Sequence, residues 1–310
     1  MHDYFSSTKD EFNNRTSYIR KDYLCCPKQN PMKRHWLYIA VLAALCACSQ
    51  KPTEAQTSDG ASRQSNDTIL VAIDETLASL PLVYADDKRM WAEQGLPVKY
   101  QSYSSTKDCA EALRHNEVDL AVIEAEHYDY LLPHNPSLAI LGHSYNYWGI
   151  ISPSILRLKR VKDLENRIVG VSRNATSQAV CNEQISLSKT NTKQMAFPQI
   201  DSPQTAYNMI INNQIDAIVL PEPFLAKALA MGGRMLMENN KPVLKKAYIV
   251  FDSQRKDLLT ATTIEKIKKV YAAASDSVNV AKKQDCTNLL AHRFHLTTKE
   301  IEKLNMPARK

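Results

Sequence analysis

Polar side chains able to hold a small molecule follow several predicted strands, at the points where the strands end. In open α/β sheets, ligands bind outside the carboxyl ends of strands. That rule selects the following candidates: Asp74, Thr76, Ser104, Ser105, Thr106, Glu124, Ser172, Asn174, Thr176, Ser177 and Glu222. Their hydroxyl, amide and carboxyl groups predict a small-molecule binding site at this edge of the sheet.

The segment Ser172–Ser177 is the strongest of these candidates. A predicted strand runs straight into it, and a helix is predicted to begin there. The free N–H groups and the dipole of a helix N-terminus favour an acceptor group, and the hydroxyls of Thr176 and Ser177 would supplement them. The alternative is an ordinary N-cap, a role that Ser and Thr fill routinely. The two roles are compatible.

Glu222 stands between two prolines, Pro221 and Pro223. A residue that precedes proline is held in an extended conformation, so the backbone here is stiff. Such a backbone can aim the Glu222 carboxylate across a cleft at a ligand. A structural hydrogen bond is the alternative, and the sequence leaves both open.

An aromatic cluster, Tyr145, Tyr147 and Trp148, follows a predicted strand. Aromatic rings can stack on a planar ligand or cover a cation. We therefore add Tyr147 to the candidate ligand-binding residues. Core packing is the alternative for the cluster, and for Trp148 it is the stronger interpretation.

The sequence predicts neither a metal site nor a catalytic site. Three potential metal ligands lie within Glu124-Ala-Glu-His127, but a metal also needs further ligands in matched geometry, so a solvated helix start is preferred. A Gly-x-Ser-x-Gly elbow, a His-Glu-x-x-His pair and a glycine-rich phosphate loop are all absent from the sequence. We therefore expect no cofactor and no enzymatic activity.

The elements that must position the candidates alternate between strand and helix. Hydrophobic periodicity predicts strands at 68–73, 96–103, 118–123, 138–143, 148–152, 167–171 and 214–220. It predicts helices at 82–94, 107–116, 126–132, 204–213, 263–274 and 297–304. Pro97 places the second strand near a sheet edge. The alternation predicts an α/β fold with a mostly parallel sheet that helices cover on both faces.

One pattern occurs twice in this series, about 97 residues apart. A predicted helix and a polar turn precede Glu117-Val-Asp-Leu-Ala-Val-Ile123, and the same order precedes Gln214-Ile-Asp-Ala-Ile-Val-Leu220. Two similar α/β lobes would produce this repetition. A chance match of two buried strands is the alternative.

Residues 32–47 have the composition of a secretion signal. Lys33 and Arg34 precede an apolar run, Leu37–Leu45, that is too short to cross a bilayer core of about 30 Å. The sequence that follows, Leu45-Cys46-Ala47-Cys48, resembles the bacterial lipobox, in which the last cysteine receives a diacylglycerol. We therefore expect a lipidated Cys48; a small buried helix is the alternative.

Two further segments frame this signal. Residues 1–31 are polar and lack apolar periodicity, so we interpret them as a misassigned extension upstream of a true start at Met32. Residues 48–67 contain almost no large apolar residue and cannot bury enough surface to become ordered. They are expected to form a flexible tether.

Composition narrows the choice of function. The chain carries a formal charge of +6, and residues 1–48 contain seven Lys/Arg and four Asp/Glu, so only +3 remains beyond them. That balance gives no argument for a nucleic-acid partner. Cys109, Cys181 and Cys286 lie far apart in the sequence, so a disulfide framework is not expected, although one bridge stays open in an oxidising compartment.

Several motifs occur in a fixed order between residues 68 and 240. They are Gln94-Gly-Leu-Pro-Val98, Tyr103–Leu113 running into Glu117–Ala121, Val161–Leu164 with Ile168–Val171, and Asp216–Phe224. In this order they resemble the solute-binding proteins of ABC importers for alkanesulfonates, taurine, nitrate and thiamine precursors.

The resemblance implies a type II periplasmic-binding-protein-like fold, in which two α/β lobes close on a ligand. Lobe one would comprise residues 68–148 and a return at 245–310, and lobe two residues 149–244. It implies a monomer that captures a small organic molecule for an ABC permease in the inner membrane. Acylated Cys48 would hold it to a lipid bilayer at the periplasmic face. An exported enzyme or sensor subunit on the same scaffold, similar to thiamine-precursor synthesis proteins, is the alternative.

The sequence departs from the family pattern after its first strand. Asp74-Glu75-Thr76 places two acids where the family usually has a polar or aromatic residue. Two inward-facing carboxylates would repel a strongly anionic ligand such as sulfonate or nitrate. The departure therefore favours a cationic, zwitterionic or neutral heterocyclic ligand.

Overall fold

The computed structural model describes residues 68–255, 258–281 and 283–306. The predicted extension, secretion signal, lipidated Cys48 and tether lie outside the described residues. The strands are β1 Ile69–Ile73, β2 Val98–Ser102, β3 Leu120–Glu124, β4 Leu138–Ser152, β5 Val169–Gly170, β6 Ala217–Pro221, β7 Arg234–Met235 and β8 Val243–Asp252.

Ten α-helices occur in this described part of the chain. They are α1 Leu80–Asp87, α2 Met90–Glu93, α3 Thr106–Arg114, α4 Ala125–Leu131, α5 Thr176–Ser188, α6 Pro203–Ile211, α7 Phe224–Ala230, α8 Ala261–Val280, α9 Thr287–Arg293 and α10 Thr298–Lys303. Short 3-10 helices occupy Leu77–Ser79, Ser154–Leu156, Val161–Leu164 and Lys283–Cys286. None of the helices of the described ranges is long and apolar enough to cross a membrane.

The described strands form one mixed sheet in the order β2-β1-β3-β8-β4-β6-β5, with β7 paired to β4. Two parallel groups occur in it: β2, β1 and β3 at one end, and β5 and β6 at the other. Between them, β8 and β4 run antiparallel to their neighbours. The α/β class is confirmed, and the sheet is mixed because the chain returns through β8.

Strand β4 corrects one of the predictions. Separate strands were expected at 138–143 and 148–152, but β4 is continuous over 15 residues. Residues Ser144–Tyr147 stay extended because they pair with Leu244–Ala247 of β8. This paired stretch, Ser144–Trp148 with Val243–Ala247, joins the two parallel groups and is called the lobe junction below.

Each parallel group has its own pair of hydrophobic cores, one on either face of the sheet. In the first group Val71 faces one core and Ala72 the other. In the second group, Val219 of β6 faces one core and Leu220 the other. Lobe 1 denotes β1–β3 with α1–α4 and α8–α10, and lobe 2 denotes β5–β7 with α5–α7.

The repeated sequence pattern corresponds to a repeated structure. Asp119 precedes β3, and its Oδ2 accepts a hydrogen bond of 2.8 Å from the Leu70 N–H at the start of β1. Asp216 precedes β6, and its Oδ2 accepts one of 2.9 Å from the Ile168 N–H before β5. In both lobes the aspartate therefore ties its own strand to the parallel neighbour, which confirms the expectation of two similar lobes.

Some of the predicted ends of helices and strands agree with the structure, and one predicted helix does not. The helix predicted at 297–304 is confirmed as α10, and Thr297 and Glu300 form a capping box at its start. The edge position expected from Pro97 is confirmed, since β2 is the outermost strand. The helix predicted at 82–94 is wrong in its continuity: Arg89 adopts a left-handed backbone with φ 56°, which separates α1 from α2.

The repeated aspartates give a stability prediction. Replacing Asp119 with Ala removes the charged acceptor of the Leu70 N–H and should lower the free energy of unfolding by about 2 kcal/mol. Urea denaturation would measure the loss. The matched change Asp129→Ala, at an exposed residue of α4, should cost less than about 0.5 kcal/mol. Equal losses in the two variants would contradict the role of Asp119.

Candidate ligand-binding site

The carboxyl ends of the parallel strands of both lobes face each other across a cleft. On lobe 1 the end of β3, at Glu124, is level with Ser144 of β4 through β8. On lobe 2 the end of β6, at Pro221, pairs with Trp148. The lobe junction thus brings both sets of strand ends to the middle of the sheet, where the rule for open α/β sheets places a ligand.

Glu124 is the central residue of this cleft. Its side chain is buried, and its Oε1 accepts a hydrogen bond of 3.0 Å from Thr106 Oγ1 within lobe 1. Its Oε2 accepts one of 2.7 Å from the Thr176 backbone N–H, the first residue of α5 in lobe 2. The Thr176 hydroxyl in turn donates to Glu126 Oε2 at 2.5 Å. The strand end of one lobe is therefore bonded to a helix start of the other.

A second connection between the lobes is an ion pair at the side of the cleft. Lys107 Nζ of α3 lies 3.0 Å from Asp201 Oδ2 of lobe 2. Asp201 Oδ1 also accepts from Ser172 Oγ at 2.5 Å and from Gln199. Burial favours the neutral form of Asp201, but the hydrogen bonds from Ser172, Lys107 and Gln199 outweigh it and lower its pKa.

His127 also connects lobe 1 with lobe 2. Its Nδ1 lies 3.3 Å from the Asn174 carbonyl oxygen. Its Nε2 is buried and has no hydrogen-bond partner among the described residues. Burial lowers the pKa of this imidazole, so a neutral ring is favoured. Because a carbonyl oxygen can only accept, Nδ1 carries the proton of the neutral ring, and Nε2 is left to accept a hydrogen bond from a ligand.

Two cavities lie between the lobes. The inner cavity has a volume of about 20 Å³ and is lined by Glu124, His127, Trp148 and Asp201, among others. The mouth cavity, about 360 Å³, lies between the Ser102–Ser104 segment of lobe 1 and the Ser202–Thr205 segment of lobe 2. The inner space suits one water molecule, whereas the mouth cavity falls in the range of about 300–1,000 Å³ that small-ligand sites occupy.

Asp74 lies behind Glu124, at the end of the adjacent strand β1. Its Oδ1 accepts from the backbone and hydroxyl of Thr76, and its buried Oδ2 has no partner among the described residues. Burial raises the pKa of Asp74 to about 6, against the hydrogen bonds from Thr76. Burial also raises the pKa of Glu124 to about 7, and the charge of Asp74 adds to that shift. The base of the cleft is therefore acidic and poorly solvated.

Glu222 lies at the lobe junction and is fully buried. Its carboxylate accepts hydrogen bonds from the backbone N–H and side chain of Asn305 and from the Ala226 N–H. Its carbonyl accepts from Asn146 Nδ2, and its N–H donates to the Tyr147 carbonyl. All these bonds are internal, which favours the structural alternative over contact with a ligand.

The remaining candidates divide into two groups. Ser172, Thr106 and Ser177 line the inner cavity, and Ser104 lines the mouth cavity. Ser105 lines the inner cavity too, and it is also the N-cap of α3. Asn174 is exposed, and Tyr147 is half-buried on β4; neither lines the two cavities.

A comparison with protein families identifies the group to which the sequence belongs. A family model described as NMT1/THI5 like matches residues 77–284, which is more than half of the chain. The chain belongs to the NMT1/THI5-like family. No curated protein matches the sequence significantly.

Solved structures of binding proteins share the fold of this family member at low sequence identity. The periplasmic aliphatic sulphonate binding protein SsuA from Escherichia coli is 14% identical, with 77% of this chain and 78% of that chain covered and a TM-score of 0.61. The periplasmic nitrate-binding protein NrtA from Synechocystis PCC 6803 is 16% identical, with coverages of 77% and 69% and a TM-score of 0.61.

A third structure is the ligand-binding component of an ABC-type import system from Staphylococcus aureus with zinc bound. It is 13% identical, with coverages of 77% and 83% and a TM-score of 0.64. Together these similarities confirm the predicted two-lobe, type II fold. Within the described residues of this chain, no group of three or more His, Cys, Asp or Glu side chains is placed to hold a metal ion.

Two site residues escaped the sequence prediction. Lys107 was assigned to a helix only, and Asp201 follows a segment that was not recognised as part of the sheet. Residues Ala196 and Gln199 form isolated parallel bridges with Ile168 and Val171 beside β5. Asp201 therefore obeys the same strand-end rule, but Pro198 interrupts the apolar pattern that would have revealed the strand.

Glu222 gives a pH-dependent prediction. Burial raises its pKa to about 7, against the bonds from Asn305 and Ala226, whereas an unfolded glutamate titrates near 4.3. Between about pH 4.3 and 7, the folded chain therefore holds a proton that the unfolded chain has released. The contribution of Glu222 to the free energy of unfolding is complete below about pH 4.3 and is lost as the pH rises through about 7.

The test compares the wild type with Glu222→Gln, which cannot titrate. Between pH 4.5 and 8, the free energy of unfolding of the wild type relative to the variant should fall by about 3 kcal/mol. Urea denaturation at four pH values measures this difference. A difference that stays constant across the range would contradict the assigned burial of an ionisable group.

Proposed function

We propose that this chain is the solute-binding component of an ABC importer, which captures a small organic molecule between its lobes for delivery to a membrane permease. The observation that carries the proposal is the cleft itself, to which both lobes contribute polar side chains at their strand ends. Glu124 and Lys107 come from lobe 1, and Thr176 and Asp201 from lobe 2. Membership of the NMT1/THI5-like family and the fold shared with importer binding proteins support it.

The charges of the cleft favour a ligand that donates hydrogen bonds or carries positive charge. Asp74, Glu124 and Glu126 are carboxyl groups of its lobe 1 wall, and Glu75 lines the mouth cavity. On the same wall, Lys107 is already paired with Asp201. A cationic, zwitterionic or neutral heterocyclic solute would gain from these acids, whereas an anion would be repelled.

Aromatic side chains supply the apolar part of the site. Tyr103 and Phe224 line the mouth cavity from opposite lobes, and Trp148 lines the inner cavity. Planar ligands gain free energy by stacking on such rings. A flat heterocycle held between the aromatic residues, with its donor groups directed at Glu124, fits this combination best.

Binding requires the lobes to separate and close again. The inner cavity holds about 20 Å³, so a ligand that reaches Glu124 must displace the direct contacts between the lobes. The two strands of the lobe junction and the segment near Glu222 connect the lobes, so a hinge would involve them. A ligand that contacts both lobes stabilises the closed arrangement by its differential affinity.

Three cysteine side chains of the described residues lie in the interior of the fold. Cys109, Cys181 and Cys286 are buried and form no disulfide in the described structure. Burial raises the pKa of Cys181 to about 12, and it raises the pKa values of Cys109 and Cys286 as well. A protonated, buried thiol is a poor nucleophile, so these three side chains are not placed to act as catalytic nucleophiles.

The finer assignments of the sequence complete the proposal. We infer a secretion signal at 32–47, a lipid on Cys48 and a tether at 48–67. Lobe 1 would comprise residues 68–148 and 245–310, and lobe 2 residues 149–244. These features would keep a monomeric binding protein at the periplasmic face of a membrane. A flexible tether of this kind raises the local concentration of the binding protein near a permease.

A ligand screen tests the function. A cognate cationic, zwitterionic or neutral heterocyclic solute should raise the melting temperature by about 5 °C at roughly 100 times its Kd, because it binds only the folded chain. Glu124→Gln should weaken binding at least about tenfold, whereas Glu93→Gln, at an exposed residue of α2, should leave it unchanged. Stabilisation by sulfonates or nitrate alone, or by no solute of these classes, would refute the proposal.

A further inference from the structure

Helix α5 begins in the cleft without a cap from its own segment. Its N-cap is Ala175, which has no side-chain acceptor, although the backbone at Ala175 has the extended conformation of a capped helix start. Alanine is among the poorest N-cap residues. The N–H groups of the first turn and the positive end of the helix dipole therefore need an acceptor from elsewhere.

The missing acceptor comes from the opposite lobe. Glu124 Oε2 accepts the Thr176 N–H at 2.7 Å, and both residues are buried. Helix N-termini are ready-made binding sites for carboxylates, sulfates and phosphates. In this chain, the position that an anion would take at α5 is filled by a side chain of the protein.

We propose that Glu124 is an internal occupant of an anion site at the start of α5, and that this residue sets the specificity of the cleft against anionic solutes. The inference rests on the proposed function and deepens it. It explains how a chain with the fold of sulphonate-binding and nitrate-binding proteins can select a different class of solute. A solute of this chain then meets Glu124 as a hydrogen-bond acceptor.

A second observation points to a ligand at the same place. His127 is only 4% exposed, lines the inner cavity with Glu124, and its Nε2 has no partner among the described residues. A buried polar atom without a partner is costly, and Nε2 is free to accept a hydrogen bond from a donor group of a molecule that enters the inner cavity. Donor groups of such a molecule would face Glu124, and His127 would complete the contact.

The inner cavity is too small to hold an anion while the Glu124 side chain is present. Beside Glu124, the inner cavity leaves about 20 Å³, which is room for one water molecule and not for an oxyanion. Changing Glu124 to Ala removes one methylene and one carboxylate, which together match acetate in size. The variant should therefore accept acetate, formate or nitrate at α5, where the wild type cannot.

The experiment is a chemical rescue of the full-length Glu124→Ala variant. Its melting temperature should be lower than that of the wild type, and 100 mM sodium acetate or nitrate should raise it by about 3 °C more than the same concentration of sodium chloride. The wild type and Glu124→Gln, whose side chains still fill the position, should respond by less than about 1 °C. Isothermal titration should show nitrate binding at least about tenfold tighter in Glu124→Ala than in the wild type.

The matched control is Glu126→Ala, which removes a second carboxyl group two residues further along the chain. Glu126 contacts the Thr176 hydroxyl but not its N–H, so this variant should show no selective response to acetate or nitrate. Equal rescue in Glu126→Ala, or a Glu124→Ala variant that acetate, formate and nitrate all leave unchanged, would overturn the proposal.

Two further outcomes are decisive. If Glu124→Ala is unfolded in chloride, recovery of its native circular-dichroism signal in acetate supports the proposal, and failure to recover in acetate, formate and nitrate counts against it. The rescue uses only simple anions, so it succeeds or fails independently of whether a transported solute is found. A failed solute screen with a successful rescue would remove the transport role and leave the anion site standing.

Discussion

The pairing of β4 with β8 carries the sheet from lobe 1 into lobe 2. Ten residue pairs hold these antiparallel strands together, from Leu138 with Asp252 to Trp148 with Val243. Because both lobes grow from the same two strands, the carboxyl ends of β1 and β3 must meet those of β5 and β6 at the lobe junction. The position of the cleft therefore follows from the order of the strands in the sheet.

Two buried carboxyl groups set the electrostatics of this cleft. Glu124 and Asp74 are removed from water at adjacent strand ends, where burial disfavours their charged forms. Hydrogen bonds from Thr76, Thr106 and Thr176 offset part of that cost. The fold is shared at 13–16% identity with proteins named for sulphonate or nitrate binding and with a zinc-bound import component, so the fold alone does not specify a ligand.

The sequence contained enough local information to predict most of the elements and the edge at which the site lies. Strand ends followed by Asp74, Glu124 and Ser172 could be recognised one at a time, and the repeated aspartates at 119 and 216 revealed two lobes. Long-range pairing was not recognisable in the same way. The continuity of β4 depends on β8, about 100 residues later, and the partner of Glu222 is Asn305. A left-handed backbone at Arg89 also leaves no signature in hydrophobic periodicity.

The position of Trp148 has an optical consequence. In the described part of the chain the other tryptophan, Trp91, is in the lobe 1 core and donates to Tyr100. Trp148, in contrast, lines the inner cavity together with Glu124 and Asp201. Separation of the lobes would expose this indole to water while Trp91 stays enclosed. The emission spectrum of the protein would therefore carry a built-in signal of how far the cleft is open, without any attached dye.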